Sequence, residues 1–159
     1  MYTIRSAEER DRDAILQIGS QVGVFTAEEV ATVDELLQAH LYDPEQQDYH
    51  FCVACDEQDR VLGFVCFGPT ALTEGTYDLY WIAVNKSLHG VGLGRALMEW
   101  TEEHVRVAGG RLLVAETSGT PEYTPTRRFY ERLGYEGHLS VPDFYRPGDD
   151  LIVYSKPLR

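Results

Sequence analysis

The sequence predicts an α/β fold, a central mixed, twisted sheet of six to seven strands flanked by about four helices, in one domain spanning residues 1–159. Three observations predict it. Four segments carry apolar residues at helical spacing, and six or seven short runs are β-rich. The two types alternate as β-α-α-β-β-β-α-β-α-β, so the early strands meet in hairpins and the later ones connect through helices, which makes a mixed sheet. At 159 residues, 43% of them hydrophobic, the chain is long enough to bury a core.

YTIR (2–5) is the first strand candidate. Residues 8–19, EERDRDAILQIG, place Ala14, Ile15 and Ile18 on one helical face, with acids in the first turn where the helix dipole favours them. TAEEVATVDELLQAHL (26–41) gives a second helix. Thr26 caps it, Glu29 completes a capping box, and Val30, Val33, Leu36, Leu37 and Leu41 form its apolar stripe. After the polar break DPEQQD, HFCVACD and RVLGFVCFG read as a hairpin joined by EQDR. YDLYWIAV (77–84) is the next strand, and a period of two puts Asp78, Tyr80, Ile82 and Val84 on one face. GRALMEWTEEHVRVA (94–108) is an amphipathic helix with Ala96, Leu97, Trp100, His104 and Val107 on or near one side, stopped by Gly109 and Gly110. RLLVAETS is a strand, TPTRRFYERLG a short helix ending at Gly134, and DDLIVYSKP the last strand, while YEGHLSV supplies the seventh candidate.

A net charge of −12 argues against nucleic acid or an anionic membrane as partner, since both demand a basic face. No apolar run approaches the ~18–20 residues of a membrane span. The N-terminus is charged from Arg5 and has no signal-peptide core, so the cytoplasm is the expected compartment. The three cysteines give no disulfide framework. Cys52 and Cys55 lie three apart on a strand and point to opposite faces, and no second pair completes a metal site, so they and Cys66 read as buried filler with no metal expected.

The stretch LHGVGLGRAL (88–97) joins a strand to a helix through Gly90, Gly92 and Gly94. Its register does not fit the dinucleotide pattern G-x-G-x-x-G, and no Walker loop occurs. What remains is a loop whose amides, from Gly90 through Val91, Gly92, Leu93 and Gly94 to Arg95, meet an anion at a helix start. In this setting WIAVNKSLHGVGLGRALMEW resembles the acetyl-CoA-binding motif of the GNAT superfamily of acyl-CoA N-acyltransferases, [Q/R]-x-x-G-x-[G/A]. Gly92 and Gly94 match it, and His89 stands where Gln or Arg is usual. TRRFYERLGY (126–135) resembles the second signature of that family, and the element order matches its fold along the whole chain.

The resemblance implies an acetyltransferase that uses acetyl-CoA as acyl donor. It implies that backbone groups near Ile82, Ala83 and Val84 bind the pantetheine arm and the reacting carbonyl, and that residues 89–95 hold the pyrophosphate, His89 included as a donor. Tyr130 falls on the general-acid tyrosine of the family, beside Phe129. A phenol of ordinary pKa ~10 is protonated at neutral pH and able to donate to a departing thiolate. Tyr123 occupies the position of a pantetheine-binding Asn, and Thr126 that of a usual Ala. For the proton on the amine, Asp78 aligns with a base used by some members, and Glu116 on the adjacent strand is its rival. The acceptor site is expected between VGVFTAEEV (Phe25, Glu28, Glu29) and VPDFYRPGDD (Asp143, Phe144, Tyr145), with Tyr80 nearby, where acids and aromatics suit a cation-bearing amine.

The reading is therefore an N-acetyltransferase acting on a primary amine in a ternary complex. Its partner is an amine-bearing substrate rather than nucleic acid or membrane, and a homodimer is left open. The competing classes are a non-catalytic acyl-CoA-binding regulatory module and a nucleotide-binding protein of another α/β class. The wrong glycine register argues against the latter.

Overall fold

Seven strands form one sheet, and the helices divide between its two faces. The computed structural model describes residues 1–159. The strands are β1 (Thr3–Ser6), β2 (His50–Cys55), β3 (Val61–Pro69), β4 (Thr76–Val84), β5 (Leu112–Ser118), β6 (Glu136–Arg146) and β7 (Asp149–Pro157), in the spatial order β1-β2-β3-β4-β5-β7-β6. Every neighbouring pair is antiparallel except β4 and β5, which are parallel and joined by a helical crossover. The helices are α1 (Arg12–Gln21), α2 (Ala27–Tyr42), α3 (Leu93–Val107) and α4 (Thr124–Arg132), with short 3-10 turns at Glu9–Asp11, Lys86–Leu88 and Pro121–Tyr123. None is long and apolar enough to cross a membrane.

Helices α1 and α2 cover one face through Ile15, Ile18, Val33 and Leu37, which pack on Phe51, Val53, Phe64 and Cys66. The capping box at the start of α2 forms as the sequence indicates: the Thr26 hydroxyl accepts from the Glu29 N–H at 3.1 Å, and the Glu29 carboxylate accepts from the Thr26 N–H at 3.2 Å. Arg12 pins the two helices together with two bonds to Asp34, 2.8 and 2.7 Å. Helices α3 and α4 cover the other face, where Leu93, Leu97, Met98, Val105, Tyr130 and Leu133 meet Val65, Leu79, Leu113 and Tyr154. Cys52 faces this second core and Cys55 the first, as their spacing requires.

The buried stripe of α3 differs from the expected one. Leu93, Leu97, Thr101 and Val105 recur every four residues and are buried together with Met98 and Glu102, while His104 is exposed and Val107 is 79% exposed. The polar look of Thr101 and Glu102 conceals this face. The Thr101 hydroxyl is satisfied by the Leu97 carbonyl at 2.8 Å. Glu102 accepts from Lys156 Nζ at 2.7 Å and from the Tyr135 hydroxyl at 3.0 Å, so both polar groups enter the core already paired.

Two irregularities shape the far end of β4. Cys66 of β3 pairs with Trp81 and Phe67 with Leu79, so Tyr80 is an extra residue without a partner, a β-bulge. In addition β4 and β5 pair only over Thr76–Leu79 and Leu112–Ala115, after which both strands run on apart.

Candidate active site

The bulge reverses the side-chain parity of β4. Tyr77 and Leu79 face the α3/α4 core before it, and Ile82 and Val84 face that same core after it. Tyr80, Trp81 and Ala83 belong to the opposite face. The expected common face for Asp78, Tyr80, Ile82 and Val84 is therefore corrected, since one inserted residue shifts the period of two. The bulge also coincides with the parting of β4 from β5, which opens a gap lined by main-chain groups. The Val84 carbonyl points away from β3, because it accepts from His89 Nε2 at 2.9 Å. Alternate residues of an antiparallel ladder turn their polar groups outward, so Ile82 also presents its N–H and C=O to the gap while Ala83 is turned toward β3. Of the three residues expected to offer backbone there, Ala83 does not.

At the mouth of the gap on the α3 side stands the glycine loop. Gly90 and Gly92 both have φ of +86°, the left-handed conformation that L side chains resist. Gly92 is the residue from which α3 starts. Gly94 serves otherwise: a Cβ there would lie 3.2 Å from the Phe129 ring, so its bareness lets the start of α3 press against α4. Leu93 buries its side chain and leaves its amide at the helix start. The six N–H groups from Gly90 to Arg95 donate to no protein acceptor, whereas the Ala96 N–H returns to the Gly92 carbonyl at 3.1 Å. Six consecutive unsatisfied donors beside a helix N-terminus fit a multiply charged oxyanion such as a pyrophosphate. Arg95 itself pairs with Glu99 at 2.8 Å.

Tyr130 sits below the gap. It is 5% exposed, its ring packs on Phe129, Tyr135 and Tyr154 at 5.6, 5.7 and 5.7 Å, and its hydroxyl makes no hydrogen bond to the protein. Burial holds its phenol well above the ordinary value, and the neighbouring Tyr123 and Tyr145 push in the same direction. The helix carrying it is fixed by Arg127, whose guanidinium donates to the Ser118 and Thr120 carbonyls at 2.7 and 2.8 Å and to the Thr124 hydroxyl at 3.0 Å. Sequence reasoning passes over Arg127, for which the doubled arginine before Phe129 is the only signal. Thr126 is half-buried on the same helix.

The α1/α2 side of the gap is built from side chains. An open cavity of about 500 Å³ is lined by Thr26, Ala27, Glu28, Tyr145 and Arg146, from the α2 start and the end of β6. Tyr145 is 43% exposed, and partial desolvation of its phenol together with Glu116, Asp149 and Glu29 pushes it up to about 12. The Tyr123 phenol is likewise pushed up to about 12 by burial and by Glu29 and Asp149. Its hydroxyl donates to the Val24 carbonyl at 3.2 Å, which ties the segment before α4 to the α1–α2 loop. Asp149 is a member of this group that the sequence does not indicate, because DD after RPG reads as an ordinary turn.

Phe25 packs edge-on against Trp81 at 5.2 Å, and Tyr80 against Tyr49 at 5.4 Å. Asp143 has φ of +55° and closes the β6–β7 turn, accepting from the Gly148 N–H at 2.8 Å, and Phe144 is exposed against Tyr145. The two carboxylates differ in surroundings. Asp78 is half-buried where β4 and β5 are still paired, and it accepts from the Thr70 hydroxyl at 2.7 Å. Glu116 is exposed just past Ala115, the last residue paired with β4. No group of His, Cys, Asp and Glu is placed to hold a metal ion.

Comparison with known proteins agrees with this architecture. Residues 47–137 match the family model described as an acetyltransferase (GNAT) domain. A crystal structure of a GNAT-family protein from Desulfovibrio desulfuricans is similar over 100% of both chains, with 43% identity and a TM-score of 0.95. An uncharacterized N-acetyltransferase of Methanocaldococcus jannaschii is 30% identical over 110 residues, 68% of this chain and 67% of that one. A Salmonella typhimurium protein solved with its cofactor acetyl-CoA shares the fold at a TM-score of 0.76 and 22% identity, covering 100% of this chain and 95% of that one.

Proposed function

The chain belongs to the GNAT family of acetyltransferases, and on that premise we propose that it transfers the acetyl group of acetyl-CoA to a primary amine by direct attack in a ternary complex. The observation that carries the reading is the run of six free amides from Gly90 to Arg95 at the mouth of the β4/β5 gap. These residues would hold the pyrophosphate, and the outward groups of Ile82 would align the pantetheine arm. The structural likeness to a protein solved with acetyl-CoA supports the same donor.

Each remaining group has one task. The amine enters from the cavity between α2 and β6, and it must lose a proton as its nitrogen forms the new C–N bond. Glu116 takes that proton: it stands where the strands part and has no protein partner, whereas the Asp78 carboxylate is already engaged by Thr70. Tyr130 keeps its proton at every working pH, because burial raises its pKa. It donates a hydrogen bond to the sulfur as the C–S bond breaks, so the leaving group departs as a stabilised thiolate that takes its proton from solvent. The acids around Tyr145 and Tyr123 favour an acceptor that carries a cationic group besides the reacting neutral amine. The non-catalytic alternative is not favoured, because Tyr130 remains buried beside the gap with an uncommitted hydroxyl.

Thiol release from acetyl-CoA in the presence of an amine panel tests this. A primary amine that accelerates release and gains an acetyl group is the expected result, and tight CoA binding with no release for any amine would overturn it. Glu116→Gln is expected to lower kcat/KM for the amine by about 30-fold and Asp78→Asn by less than about threefold. The reverse order would transfer the base to Asp78.

A further inference from the structure

We propose that His89 is a positioning residue for the acyl donor, a clamp that holds the Gly90–Arg95 amides against the end of β4 and does not itself ligate phosphate. The inference rests on the acetyl-CoA reading of the loop and goes beyond it by giving His89 a role of another kind.

A short set of bonds restrains the chain between Val84 and α3. The Asn85 N–H donates to the Leu62 carbonyl at 2.8 Å, and the Asn85 side chain accepts from the Ser87 N–H and hydroxyl at 3.1 and 2.8 Å. The Leu88 and His89 N–H groups return to Asn85 and Lys86 at 2.8 and 3.4 Å. Beyond this point no main-chain N–H donates until Ala96, and the next anchor is the buried side chain of Leu93. The loop between these anchors contains two left-handed glycines and would sample many conformations if left untied. The His89 ring supplies the tie, 2.9 Å from the Val84 carbonyl.

The chemistry of that contact fixes the role of Nε2. A carbonyl only accepts, so Nε2 carries the proton and donates, which leaves Nδ1 of the neutral ring with a lone pair. An acceptor nitrogen repels a phosphate oxygen, so the neutral ring has no donor left for the anion. The contact also occupies the Val84 carbonyl, one of the outward groups at the open edge of β4. Pantetheine is then left with the groups of Ile82 and the Val84 N–H, and the length of that edge is set by His89.

The first test needs no ligand. In the full-length apo protein, imidazole nitrogen NMR is expected to show an Nε2-protonated, hydrogen-bonded His89 that stays so when CoA is added. Amide order parameters over residues 90–92 are expected to fall in His89→Ala. A ring that is Nδ1-protonated, or a loop equally ordered in the variant, would overturn the clamp whether or not CoA binds. The second test is CoA affinity by calorimetry. His89→Ala is expected to weaken it about tenfold, and His89→Gln, whose amide donates to the same carbonyl, to restore it to within about twofold. Unchanged CoA affinity in His89→Ala, or no rescue by His89→Gln, sinks the proposal. Failure of wild-type protein to bind CoA would instead sink the acyl-donor reading, with the NMR result still deciding the clamp.

Discussion

The two sides of the β4/β5 gap are built differently. The proposed donor side is main chain drawn from one contiguous stretch, Ile82 to Arg95, in which amide and carbonyl groups are aimed by two left-handed glycines, a bulge and a helix start. The proposed acceptor side is side chains drawn from separate elements: Glu28 and Glu29 from α2, Glu116 from β5, Tyr123 before α4, Tyr145 from β6 and Asp149 from β7. A site made of backbone recognises a group common to every donor molecule and tolerates side-chain change wherever the conformation survives. A site made of side chains changes its preference with each substitution. The donor should therefore be fixed by the architecture, and the acceptor by a few replaceable residues.

Four variants put that contrast at risk. Tyr130→Phe removes the hydroxyl proposed to act across the gap, so kcat is expected to fall about 100-fold while CoA affinity stays within about twofold. If kcat is unchanged in a rate assay, Tyr130 is only core. Gly92→Val forces a β-branched residue into a φ of +86°, where an L residue costs about 1–2 kcal/mol. CoA affinity measured by calorimetry should drop about tenfold, with acceptor KM little affected, and a loss on both sides would mean that the sides are not separable. Tyr145→Ala should do the opposite, raising acceptor KM about fivefold and leaving CoA binding alone.

The smallest effect is expected at Arg12→Ala, which unpins α1 from α2 beneath the acceptor side. Its two bonds to Asp34 are solvent-screened, so the melting temperature is expected to fall by only about 1–2 °C. The sign with pH is fixed. The Arg12 guanidinium holds the Asp34 carboxyl below its usual value, so this stabilisation is complete above about pH 4 and disappears as pH falls through the lowered value. Wild type and variant should converge in acid, and a difference that persists there would show that the loss is one of packing.

Much of the fold is legible because local signals agree. The Thr26–Glu29 capping box, the stop at Gly109 and Gly110, and the β-rich runs each specify an element without help from elsewhere. The face of α3 is misread because Thr101 and Glu102 look polar, and the partners that bury Glu102, on β7 and at Tyr135, fall in no window along the helix. The face of β4 is misread because a bulge is a relation between two strands. In the site, the glycine loop and Tyr130 are readable as motifs, and Arg127, Asp149 and the Val24 contact of Tyr123 are not.

The sequence by itself determined the elements, the hand-over from strand to glycine loop to helix, and the residue types that chemistry on an acyl donor needs. These follow from periodicity, φ preference and capping, which act over a few residues. Only the tertiary structure decided that β4 parts from β5 at Leu79, that His89 turns to the Val84 carbonyl, and that acids from three elements gather around Tyr145. Those outcomes depend on which strands pair and where the pairing stops, and the balance is struck by packing between segments far apart in the chain.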